Sequence, residues 1–293
     1  MFKNIMAPVT PSAYCERSAD TAIAFAQRFE ANLVLLHVYG SEHRWGEAEL
    51  LTSTEELEKI RASIAKHFAE KLKGVTSQSI MVTQGVPHVE ILRAAREMES
   101  DLIVMCPYRK EVAEREKTLW ARVGSTMERV AQQAHCPVML VPRATPYGEH
   151  VFRTIVAATD FSMAAGHVVD YAGQMARHYN ANLTVLNVLD TDTTARDMTQ
   201  EGIGREISER KKRMAVEYGG ILRDIKACAY ECWEGQPAVE ILKLARTENA
   251  DLILMAHQGE ADPEKALLGS TVALVAGKAT CPVISLNHHF TLG

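Results

Sequence analysis

The sequence lacks any surplus of positive charge. Its 32 Lys and Arg stand against 37 Asp and Glu, a formal net charge of -5, so a polybasic arm or a nucleic-acid groove is not expected. It also lacks a run of eighteen uninterrupted apolar residues. The segment from Met1 to Thr10 has neither the basic lead, the long apolar core nor the small-residue cleavage site of a secretion signal. A cytoplasmic protein without membrane contact is the expectation. The six cysteines, Cys15, Cys106, Cys136, Cys228, Cys232 and Cys281, form no C-x-x-C pair, which in a reducing compartment reads as packed thiols without disulfides. What is present is ample core material, 47% hydrophobic against 24% charged residues, which excludes intrinsic disorder. At roughly 100 to 200 residues per domain, the 293-residue chain holds two domains.

The chain repeats itself at a fixed distance. At an offset of 150, Ala31-Asn32-Leu33 returns as Ala181-Asn182-Leu183 and Asp101-Leu102-Ile103 as Asp251-Leu252-Ile253. Gly85-Val86-Pro87-His88-Val89-Glu90-Ile91-Leu92 likewise returns as Gly235-Gln236-Pro237-Ala238-Val239-Glu240-Ile241-Leu242. The offset then falls by five, since Gly124-Ser125-Thr126 answers Gly269-Ser270-Thr271 and Cys136-Pro137-Val138 answers Cys281-Pro282-Val283. The first repeat therefore carries five extra residues between Met105 and Gly124. Self-similarity of this kind divides the chain into repeat one (1–143), a linker (144–150) and repeat two (151–293).

Short apolar runs alternate with longer segments of helical period in both repeats. In repeat two the runs Ile155 to Thr159, Leu183 to Val188, Ala227 to Cys232, Leu252 to Met255 and Val283 to Leu286 predict strands. Val168, Val169, Ala172, Met175, Ala176 and Tyr179 mark one face of a helix between the first two, and Ala19, Ala22, Phe25, Ala26 and Phe29 do so in repeat one. Pro87 and Pro237 stand where a helix begins, a position that tolerates the missing N–H. Parallel neighbours need crossovers, so the prediction is an α/β protein. It has two tandem Rossmann-like, flavodoxin-like domains, each a five-stranded parallel sheet with helices on both faces.

Repeat two ends its first strand on Asp160-Phe161-Ser162. It then carries Met255-Ala256-His257-Gln258-Gly259, nine residues (260–268), Gly269-Ser270-Thr271, and finally Cys281-Pro282-Val283. These motifs resemble the universal stress protein family in its tandem two-domain form, and the resemblance covers nearly the whole chain. The family signature is G-x-x-G, nine residues, G-[ST], and members that keep it bind ATP at the carboxyl ends of the strands of a Rossmann-like sheet. The resemblance implies an adenine nucleotide in repeat two, ATP with Mg²⁺ or AMP or ADP, and a role in stress response. Asp160 would meet the ribose or adenine edge, Ala158 and Val188 would flank the adenine, and Met255, Ala256, His257, Gly259, Gly269, Ser270 and Thr271 would form the loop. It also implies an intrachain pseudo-dimer, edge to edge through Val138 to Val141 and Val283 to Leu286, with a further homodimer and an unidentified protein partner compatible with it.

The chemistry of such a loop follows from its residue types. Glycine lets backbone N–H groups approach a phosphate closely, and a helix N-terminus adds partial positive charge. Ala256 stands where the signature has its first glycine. One methyl is accepted there if the backbone is ordinary and refused if φ must be positive. Repeat one has lost the signature: Thr10 replaces the Asp and Cys106-Pro107-Tyr108-Arg109 replaces G-x-x-G. Its charged stretch Arg109 to Lys117, followed by Leu119 and Trp120, covers the vacant cleft, docks a partner, or is a solvated loop with an apolar anchor.

Blander readings stand beside these. Gly269-Ser270 is also a plain helix start with a capping hydroxyl. Gly202-Ile203-Gly204 lacks the third glycine of a dinucleotide fingerprint and reads as a helix boundary. Cys228 and Cys232 in a strand would lie roughly 13 Å apart, too far to share a metal. His257 either reaches a phosphate or faces water, and His288 and His289 are a chance metal pair or solvated surface. Neither G-x-x-x-x-G-K-[ST] nor S-G-G-x-D-S follows the first strand, which disfavours a fast ATPase or an adenylating synthetase. A slow ATP hydrolase stays open without a nominated general base, as does a nucleotide-free interaction scaffold or a binder of another small ligand.

Overall fold

The computed structural model describes residues 1–10, 16–39, 54–107, 125–142, 152–257 and 270–287. Two compact units divide the chain, Met1–His150 and Val151–Gly293. The first contains β1 (Asn4–Pro8), α1 (Glu16–Phe29), β2 (Asn32–Tyr39), α2 (Thr54–Phe68), β3 (Ser77–Gln84), α3 (Pro87–Glu97), β4 (Leu102–Met105), α4 (Ser125–Gln133) and β5 (Val138–Leu140). The second contains β6 (Thr154–Thr159), α5 (Met163–Tyr179), β7 (Asn182–Asp190), α6 (Gln200–Leu222), β8 (Cys228–Gly235), α7 (Pro237–Thr247), β9 (Leu252–Ala256), α8 (Ser270–Lys278) and β10 (Val283–Leu286). Strand order is β3-β2-β1-β4-β5 in the first unit and β8-β7-β6-β9-β10 in the second. Neighbours within each unit pair in parallel. Each unit is thus a five-stranded parallel α/β sheet with helices on both faces. In the second, α5 packs on α6 and α7 on α8.

The apolar stripes are inside. Val168, Val169, Ala172 and Met175 of α5 are fully buried, as are Ala19, Ala22, Phe25 and Ala26 of α1. Helices α2 and α6 and the turns that follow them keep the same offset of 150, since Ile64, Phe68, Leu72 and Val75 are buried, and so are their counterparts Met214, Tyr218, Leu222 and Ile225. Strands β7 and β8 run past their apolar cores to Asp190 and Gly235, which pair with each other. Gly202 lies in the first turn of α6, whose N-cap Thr199 accepts from the Gly202 amide.

Two recurring motifs have local explanations. Asp251 Oδ2 accepts from the Arg153 and Thr154 amides at 2.8 and 3.0 Å, and Asp101 Oδ2 accepts from those of Lys3 and Asn4 at 2.6 and 3.2 Å. Each aspartate therefore clamps the start of its unit's central strand, where otherwise unpaired amides would remain. Gly85 and Gly235 have φ of +154° and +140°, and a Cβ there would sit 2.7 and 2.9 Å from Cγ of Glu90 and Glu240. Glycine is required at both turns, and the Pro that follows occupies the first turn of α3 or α7.

Cys106, Cys136, Cys228, Cys232 and Cys281 are free thiols. Cys228 and Cys232 both lie on β8, opposite Leu183 and Asn187. Among the described residues no group of three or more His, Cys, Asp or Glu is arranged to hold a metal, and no helix is long and apolar enough to cross a membrane. Burial pushes the thiols of Cys136 and Cys281 up to about 12. Their folded-state values exceed the unfolded value, so the stability they contribute is fully present below about pH 8.5 and is lost as pH rises toward about 12. Iodoacetamide at mildly alkaline pH is therefore expected to spare both cysteines in the folded chain and to label them in urea. Labelling in the folded chain at the rate of a free thiol would contradict this burial. Cys15, the linker, the charged stretch Arg109 to Lys117, Leu119, Trp120, His288 and His289 lie outside the described residues.

Candidate functional site

The second unit has a cleft of about 570 Å³, within the range of small-ligand sites. It opens over the carboxyl ends of β6, β7 and β9, where open α/β sheets bind ligands. Seven of the ten residues singled out in the sequence line it: Ala158, Asp160, Val188, Met255, Ala256, His257 and Thr271. Ser270 is the first residue of α8. Gly259 and Gly269 lie outside the described residues.

The turn after β6 is built by its own side chains. Asp160 Oδ1 accepts from the Ser162 amide at 3.0 Å, and Ser162 Oγ caps α5 by accepting from the Ala165 amide at 3.1 Å. Between them Phe161 takes φ +68°, an uncommon conformation for a bulky residue. Thr159 Oγ1 holds it there, accepting from the Phe161 amide at 3.1 Å and sharing a hydrogen bond of 2.8 Å with the Tyr218 hydroxyl. Burial raises the ionisation of Tyr218 above its usual value, partly offset by the bond to Thr159, so the phenol stays protonated at neutral pH.

Helix α6 brings two arginines that the motifs did not indicate. Arg210 donates to Asn187 Oδ1 at 3.0 Å and pairs with Glu206 at 2.6 Å. Asn187, 1% exposed, donates from Nδ2 to the Thr159 carbonyl at 2.8 Å, and its Oδ1 also accepts a longer contact from Cys232 Sγ at 3.7 Å. Arg213 lies with its guanidinium 4.0 Å from the Phe161 ring centroid and pairs with Glu217 at 3.0 Å. Pro237 and Ile241, delivered by the Gly235 turn, close the wall on the side of α7.

Two expectations were conditional on backbone and burial. Ala256 is the last residue of β9, paired with Leu286 in extended conformation, so its backbone conformation does not demand glycine. His257 does not face water: it is 2% exposed, and its amide donates to the Leu286 carbonyl at 2.7 Å. The solvated reading of this histidine is thereby corrected, because the chain continues the line of β9 into the interior for one more residue.

At the offset of 150, the first unit has none of the three polar or stacked pairs that frame this cleft. Thr159 and Tyr218 correspond to Val9 and Phe68, Asn187 and Arg210 to His37 and Ile60, and Phe161 and Arg213 to Pro11 and Ser63. Among the described residues the tie to the strand-end carbonyl is kept, with His37 Nδ1 at 2.8 Å from the Val9 carbonyl, which fixes the proton on Nδ1 in the neutral ring. Reading the two repeats against each other, along β2 and β7 for Asn187 and along α2 and α6 for Arg210 and Arg213, was the signal that could have drawn attention to them.

Comparison with known proteins agrees with this architecture. The Universal stress protein family profile matches residues 1–142 and 152–286. A universal stress protein of Methanocaldococcus jannaschii is 30% identical over 148 residues, covering 47% of this chain and 83% of that protein. One from Thermus aquaticus is 34% identical over 146 residues, covering 48% of this chain and 99% of that protein. Each relative thus spans about one repeat. The crystal structure of a universal stress protein from Archaeoglobus fulgidus covers 97% of this chain and 96% of its own, with a TM-score of 0.68 at 18% identity, a likeness of fold. Two successive matches to one family, over nearly the full length, establish that the chain belongs to the universal stress protein family.

Proposed function

We propose that the second repeat binds an adenine nucleotide, ATP with Mg²⁺ or its AMP or ADP relatives, and that the protein serves stress response as a nucleotide-responsive module. The observation that carries this reading is the cleft of about 570 Å³ at the strand ends, walled by Ala158, Asp160, Val188, Met255, Ala256, His257 and Thr271. An extended Ala256 has a backbone that alanine adopts without strain, which supports this reading. Thr271 stands in the first turn of α8, where helix amides favour a phosphate. The first repeat, without the signature and without the paired residues of α6, has no such role.

The loop glycine provides the test. Gly269→Val is expected to weaken ATP binding at least about 100-fold, equivalent to roughly 2.7 kcal/mol, because a branched side chain blocks close approach of the backbone to phosphate. Its urea midpoint should stay near that of the parent. Affinity retained within about twofold would show that the nucleotide, if bound, does not use this loop.

A further inference from the structure

We propose that Arg213 is a ligand-binding residue that stacks on the base of the bound ligand, one face of its guanidinium on Phe161 and the other on a purine ring. The inference rests on the adenine-nucleotide reading of the cleft and adds to it the residue that grips the base.

Three observations carry it. The guanidinium is 4.0 Å from the Phe161 centroid, the separation of a planar cation stacked on an aromatic ring. Both residues line the cleft, and the Arg213 side chain keeps 56% of its surface exposed, so its outer face is available. Finally, the turn that presents Phe161 is strained and over-determined. A non-glycine residue at φ +68° is held by Thr159 Oγ1 beneath it and by the Asp160 and Ser162 turn after it. Such strain persists where the surroundings enforce it, and it gathers at ligand sites. Helix α6 enforces it twice, through Tyr218 on Thr159 and through Arg213 on the ring itself.

Stacking, and not anion capture, is the role this geometry favours. Arg213 already donates from Nε to Glu217 at 3.0 Å, which engages one of its donors within its own helix while the guanidinium lies over the Phe161 ring. Its helix α6 packs with α5, whereas the phosphate-favouring N-terminus of α8 belongs to the other helix pair, with α7. A nucleotide whose phosphates reach α8 across the strand ends directs its base toward α6.

The test is isothermal titration of the full chain with ATP and, separately, with adenosine, for the parent, Arg213→Lys and Arg213→Gln, each checked for an unchanged melting midpoint. Lysine keeps the charge and loses the plane. Both variants are expected to weaken ATP and adenosine by the same factor, roughly tenfold. Loss confined to ATP, or rescue by lysine, would overturn the stacking role in favour of a phosphate contact. Unchanged affinities would overturn it as well, and so would a parent that binds ATP but not adenosine. A parent that binds neither ligand would refute the nucleotide reading itself and this assignment with it.

Discussion

Replacing Asn187 with Leu is expected to destabilise the second unit by about 2 to 4 kcal/mol, the effect of leaving buried polar partners unpaired. The side chain is 1% exposed, and its two ends do different work. Nδ2 supplies the donor for the Thr159 carbonyl, and Oδ1 accepts from Arg210. Leucine fills a similar volume and leaves the carbonyl with no partner at that position, while Arg210, only partly exposed, loses its anchor on the sheet. Asn187→His copies the first repeat, in which His37 meets the equivalent carbonyl. It should recover part of the stability, because Nδ1 can donate as Asn does, yet it should not restore the Arg210 contact. Urea unfolding of the three proteins separates these contributions. A leucine variant within about 0.5 kcal/mol of the parent, the range of a neutral surface change, would mean the network is not structural.

Gly235→Ala is expected to cost about 2 to 3 kcal/mol through two independent effects. The backbone at φ +140° is strained for any residue with a Cβ, and the new methyl would lie 2.9 Å from both Cγ and Oε1 of Glu240. Glu240 cannot withdraw freely, since its carboxylate pairs with Lys243 at 3.1 Å and its side chain is 13% exposed. Adding Glu240→Ala should recover the part due to the clash and leave the part due to φ, so the double variant should be more stable than the sum of the single costs implies. Gly85→Ala should behave alike, with Glu90 Cγ at 2.7 Å. Because Pro237 and Ile241 follow this turn into the cleft wall, Gly235→Ala should also loosen ligand binding. Equal stability of Gly235→Ala and the parent would show that the turn relaxes without cost.

The fold was legible because its signals are local. Apolar runs, helical stripes such as Val168 to Tyr179, and Pro at a helix start each depend on a few neighbouring residues, and the doubled sequence stated each of them twice. The strand ends were read short at Val188 and Cys232, since the apolar runs give way to Asp190 on β7 and to Glu234 and Gly235 on β8, which lies at the edge of its unit's sheet. Of the cleft lining, the residues near the motifs were legible and those from α6 were not. Arg210 and Arg213 lie more than twenty residues beyond Asn187 and reach the cleft only because the crossover from β7 to β8 carries α6 back along the sheet. No spacing rule contains that path. The burial of His257 was likewise decided by the neighbouring strand β10, whose Leu286 carbonyl receives its amide.

The most direct test of the central claim is the number of nucleotide sites per chain, measured by isothermal titration of ATP with Mg²⁺ into the intact protein. One site per chain, lost in Gly269→Val, is the result this account requires, because the paired residues around the cleft occur in the second repeat and are replaced in the first. Two sites, or a single site that survives Gly269→Val, would contradict it.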